Sequence, residues 1–197
     1  MNDIYRPPHS ELVETTAVGA GDFYVVAKNK FLILFFVTAG IYPIYWFYKN
    51  WSLQKLKTGE SIMPVWRAIF MIFFTHSLFA RINQSLFDQD IEFKWNPTLA
   101  ATGYVIVLIV SSILDRLSYA YIGSPVTDLL SILILGVEGY ILYKAQLAIN
   151  LAAGDPEGRD NANFTAANYF WCFVGLVFWF LILVGFISMY QEGYFEF

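Results

Sequence analysis

Three side chains capable of acid–base or ionic chemistry stand in or against stretches that are otherwise apolar. Glu138 lies in the middle of LLSILILGVEGYIL, His76 lies in the middle of the run Ala68 to Ala80, and Arg81 closes that run. A carboxyl, an imidazole and a guanidinium at membrane depth have two uses: they hydrogen-bond a neighbouring helix, or they form steps on a proton or ion path. A charge at the centre of a membrane helix costs roughly 2.5–3.5 kcal/mol on insertion scales, and the surrounding Leu, Ile and Val return a similar amount. Gly136 and Gly139 flank Glu138 and would let another backbone approach it, so Glu138 is expected to face other helices, protonated or paired with His76 or Arg81.

Other chemistries find little support. The chain contains no H-E-x-x-H, G-x-S-x-G or G-x-x-x-x-G-K string. Cys172 is the single cysteine, which excludes an intramolecular disulfide, and His9 sits beside two prolines without a second ligand at metal spacing. Asp155, Glu157 and Asp160 do not follow the alternation of a calcium-binding EF-hand loop. No enzyme activity and no cofactor are therefore expected. A net charge of −4 without a clustered basic face argues against a nucleic-acid partner.

The elements that must position these residues are membrane helices. The chain is 57% hydrophobic and only 14% charged, more apolar than a water-soluble domain can cover with its own surface. The expected fold class is all-α, an integral membrane helical bundle with four transmembrane helices and one short segment, 64–87, that is re-entrant, interfacial or spanning. Residues 1–27 read as a flexible polar tail, 28–190 as a single membrane domain with helices at about 28–57, 64–87, 97–117, 125–151 and 165–190, and 191–197 as an acidic aromatic tail.

Within the first helix, the uncharged run Phe31–Tyr48 would reach roughly 27 Å, close to one hydrocarbon core. Pro43 predicts a kink. Beyond it, Tyr45, Trp46, Tyr48, Lys49, Trp51 and Lys55 have the composition of an interfacial platform, with rings at headgroup depth and lysines reaching water. Asn96-Pro97 and Ser124-Pro125 read as cap-then-proline helix starts.

The string K-F-L-x-L-x-x-x-T-x-G-x-Y-x-x-Y-W-F-Y-x-x-W from Lys30 to Trp51, with P-x-W-R-A-x-F from Pro64 to Phe70, resembles a family of small bacterial multi-pass membrane proteins known as a domain of unknown function. The later N-x-x-x-G-D-P-x-G from Asn150 to Gly158 and N-x-x-F-T from Asn161 to Thr165 are similar to the same family. The resemblance implies a bacterial cytoplasmic-membrane protein and carries over no catalytic residues.

Two functions follow as expectations. The first is a non-catalytic protein that binds membrane components or acts as a scaffold, its partners being the bilayer and another membrane protein or a second copy of itself. The alternative is a small oligomeric transporter or channel that uses Glu138. The 12 basic residues divide almost evenly between the two sides if segment 64–87 spans. If it does not span, they favour both termini outside.

Overall fold

The computed structural model describes residues 21–191, apart from the side chain of Tyr190. His9, most of the expected N-terminal tail and nearly all of the expected C-terminal tail lie outside the described residues. All regular structure within them is helical. In chain order it comprises α1 (Lys28–Val37), α2 (Tyr42–Thr58), α3 (Pro64–Ile69), α4 (Met71–Asp88), α5 (Pro97–Tyr119), α6 (Val126–Ala152), a 3-10 turn (Arg159–Asn161) and α7 (Ala166–Gln191).

The stretch 28–57, expected as one crossing helix kinked at Pro43, is two helices that fold back on each other. The break falls earlier, at Thr38–Ile41, where Ala39 (φ 49°) and Gly40 (φ 80°) are consecutively left-handed and no helix can continue. Thr38 closes one helix and opens the next: its Oγ1 donates to the Leu34 carbonyl at 2.6 Å and accepts from the Tyr42 N–H at 3.0 Å. Pro43 falls in the first turn of α2, where its missing N–H leaves nothing unsatisfied. The Phe31 ring lies 5.7 Å from that of Tyr42 and 6.4 Å from that of Trp46, so the two helices run antiparallel around shared aromatics.

Both ends of this hairpin lie at one end of the molecule, here the upper end. Asn50 and Gln54 of α2 bond the backbone of Tyr24 and Asp22, and Lys30 of α1 bonds Asn161 and Asn163. The tip sits deep, where a Cβ on Gly40 would stand 2.9 Å from the side chain of Leu135, midway along the apolar run of α6. The hairpin enters the helical layer and returns without crossing it.

α3 and α4 make a second such excursion, with Phe70 (φ −97°, ψ 38°) as the corner. α4 starts beside Tyr104, whose hydroxyl meets Met71 Sδ at 3.6 Å in the upper half of α5. It finishes at the upper end, where Gln89 donates to the Ala152 carbonyl at 2.9 Å. The lower half of α5, from Leu108 to Arg116, continues past this corner.

Among the described residues three helices, rather than the expected four, are long and apolar enough to cross a membrane: α5, α6 and the Ala166–Met189 part of α7. α5 begins at the upper end with Asn96 Oδ1 capping the Leu99 N–H at 2.9 Å, and α6 returns alongside it. Among the described residues, the close backbone approach of α7 is to α1. The contact is close, since a Cβ on Gly175 would lie 2.1 Å from the Val37 carbonyl oxygen, and Trp179 Nε1 donates to the Phe36 carbonyl at 2.9 Å. Among the described residues, the upper half thus holds parts of all seven helices, whereas the lower half holds only α5, α6 and α7.

Candidate functional site

The three residues expected to converge do not meet. Glu138 is buried between α5 and α6 beside the hydroxyl of Ser111. His76 is exposed, with Nε2 3.0 Å from Thr102 Oγ1. Arg81 lies near the upper end, where its guanidinium forms a fork on both Glu60 oxygens at 3.0 and 2.8 Å. Periodicity cannot foresee this separation, because it depends on where α4 starts relative to α5. The flanking glycines also differ in use: Gly139 receives the Phe35 and Phe36 side chains, and Gly136 faces open space.

The expected interfacial platform divides by helical face. Tyr45, Tyr48 and Lys55 are exposed and Lys49 is half-buried, its ammonium 5.7 Å from the Tyr24 ring centre. Trp46 and Trp51 are wholly buried. Trp46 Nε1 donates to Gln146 Oε1 at 2.5 Å, and the Trp51 ring carries the Arg67 guanidinium 4.2 Å from its centre. These two tryptophans are core residues and belong to no outer surface.

Trp46 opens onto a set of buried carboxamides that holds the segment before α1. Gln54 Nε2 donates to the Asp22 carbonyl at 2.7 Å, and Asn50 Oδ1 accepts from the Tyr24 N–H at 3.0 Å. Gln146 Nε2 donates to the Tyr24 carbonyl at 3.1 Å, and Asn161 Nδ2 donates to the Val25 carbonyl at 2.9 Å. Asn150 takes both backbone groups of Val26. Six backbone groups of this extended segment, from the Asp22 carbonyl to the Val26 carbonyl, find side-chain partners here, which is what burial of backbone polar groups demands. Phe23 and Val26 are buried, so this described part of the expected flexible tail is docked.

The loop between α6 and α7 completes the seat. Gly158 (φ 68°) lies so close to the Val26 carbonyl that a Cβ would stand 2.3 Å away. The backbone N–H groups of Asp160, Arg159 and Gly158 hold the Asp155 carboxyl below the usual aspartate range. Lys30, almost fully buried, donates to Asn161 Oδ1 at 2.6 Å and to the Asn163 carbonyl at 2.7 Å. The strings from Lys30 to Trp51 and from Asn150 to Thr165 therefore meet in space, and their polar residues build the hairpin and its seat.

Beside the hairpin lies a groove of about 510 Å³. One wall is the outer face of α1–α2, with Leu34, Ile41, Ile44, Tyr45 and Tyr48; the others are Val65, Ala68 and Ile69 of α3 and Ala167, Asn168 and Trp171 of α7. No close backbone approach joins α7 to α2 or α3 among the described residues, so the groove separates them. Its outer end carries the Tyr48 phenol, Thr165 and Asn168, and its deep end is aliphatic and aromatic apart from Thr38, whose hydroxyl is bonded within the hairpin. Thr165 and Asn168 cap one another through reciprocal backbone–side-chain bonds at 3.0 and 3.3 Å. No group of three or more His, Cys, Asp or Glu side chains that could hold a metal ion occurs among the described residues.

Comparison with models of protein families, with curated proteins and with solved structures finds no match.

Proposed function

We propose that this is a non-catalytic membrane protein that binds a membrane component, a single lipid acyl chain, in the groove between α2, α3 and α7. The observation that carries this reading is the gradient along the groove, from hydroxyl and amide groups at interfacial depth to Ile41, Ile69, Leu34 and Trp171 near the tip of the hairpin. From Tyr48 to Ile41 the wall spans about 10 Å at 1.5 Å per residue, the length of the upper part of an acyl chain. The other polar groups are compatible with a role without chemistry: the buried carboxamides are bonded to backbone, and Glu138, His76 and Arg81 have separate partners.

The cytoplasmic membrane of a bacterium is the proposed location, with the upper end facing the cytoplasm. The resemblance of the Lys30–Trp51 and Asn150–Thr165 strings supports the first part. For the second, every described lysine and arginine except Arg116 lies in the upper half, the distribution that holds a short-looped protein basic side in.

A lipid with a photoactivatable diazirine in its acyl chain tests the groove. Cross-links are expected to concentrate on Ile44, Ile69 and Trp171 and to fall at least fivefold in Ala167→Trp, which fills the groove from an exposed position. Cross-links spread evenly over the outer faces of α5 and α7, unchanged by Ala167→Trp, would refute the reading.

A further inference from the structure

The two hairpins enter from the same side, and neither emerges on the other. At the depth of Trp46, Ala68 and Tyr104 the layer contains α1 through α7, whereas among the described residues only α5, α6 and α7 continue below Gly40 and Phe70. Among the described residues no close backbone approach joins α7 to α5 or α6. The lower half is therefore not a tapered continuation of the upper bundle: a helical pair and a separate helix stand under a much wider roof.

We infer that the protein is a membrane wedge that favours curvature expanding the leaflet at its upper end. A helix with its side chains is about 10–12 Å across, so four helices that reach only partway add roughly 300–450 Å² to the upper leaflet and little to the lower one. An inserted area that differs between leaflets is best accommodated where the wider leaflet is the outer, convex one. The seat makes the wedge rigid enough to act. Asn50, Gln54, Gln146, Asn150 and Asn161 tie the hairpin's entrance to α2, α6 and the loop before α7, while Gly175 locks its tip to α7. The inference rests on topology alone and is independent of whether the groove holds a lipid chain.

The test uses the full chain with Cys172→Ala and Ala162→Cys, which places a single thiol at an exposed upper-end loop position. The purified protein is reconstituted at equal density into vesicles of roughly 30 nm and roughly 400 nm diameter, the smaller having a radius of only a few bilayer thicknesses. A membrane-impermeant maleimide then reports the fraction with the upper end outward. The outward-to-inward ratio is expected to be at least twofold higher in the small vesicles. A ratio independent of size, or one shifted inward in small vesicles, overturns the inference.

Discussion

Asn150 holds Val26 by both of its backbone groups, Nδ2 donating to the carbonyl at 2.9 Å and Oδ1 accepting from the N–H at 3.4 Å. The two residues are far apart in the chain and both fully buried, so neither Val26 group has water to fall back on. Asn150→Leu is expected to leave both groups unsatisfied and to cost about 2–4 kcal/mol. Thermal unfolding in detergent should show the loss, and protease should cut near residues 21–27 in the variant well before the parent.

Gly175→Leu should separate α7 from the hairpin. Its Cβ would meet the Val37 carbonyl oxygen at 2.1 Å and Thr38 Cα at 2.8 Å, both backbone atoms with no rotamer to escape into. Gly185, with open space around it, is the control. Gly175→Leu is expected to lengthen the distance between spin labels at positions 33 and 173 and to lower the melting temperature, and Gly185→Leu should do neither.

The tip depends on one hydroxyl. Thr38→Val keeps the shape but removes the group that closes α1 and caps α2, a loss of about 1–3 kcal/mol. Hydrogen exchange at the Tyr42 N–H should accelerate, while exchange in the middle of α5 stays at its parental rate.

A pH dependence follows from the upper end. The hydrogen bonds from Arg81 hold the Glu60 carboxyl below the ordinary glutamate range. A carboxyl depressed in the folded state stabilises above its unfolded value, near 4.3, and that contribution is lost as pH falls through the lower folded value. Glu60→Gln should therefore melt slightly below the parent at pH 7. The gap should close on acidification below about pH 4.

Much of this was legible in the sequence. The helical starts at Pro97 and Ala166, the α6–α7 loop and the membrane class follow from apolar run length and capping residues, which are local signals. The hairpin was not legible, because a run of uncharged residues from Phe31 to Tyr48 fits one span as well as two half-depth helices. The decisive difference is the left-handed pair Ala39-Gly40, and a T-A-G-I string does not announce it. Asn50/Gln54 and Gln146/Asn150, each a carboxamide pair one helical turn apart, were the available clue to the seat. Their meaning required knowing that both faces meet the same extended segment. Trp46 and Trp51 show the opposite failure, where composition suited an interface and packing put both rings in the core.

The hairpin itself is tested most directly by three single-cysteine variants on a Cys172→Ala background: Lys55→Cys at the end of α2, Ala162→Cys before α7, and Ile122→Cys between α5 and α6. Each is expressed in bacterial membranes and labelled from one side with an impermeant maleimide. Lys55→Cys and Ala162→Cys are expected to react from the same side, the cytoplasmic one, and Ile122→Cys from the other. Labelling of Lys55→Cys from the side of Ile122→Cys would mean that residues 28–58 cross the membrane, and the hairpin would be wrong.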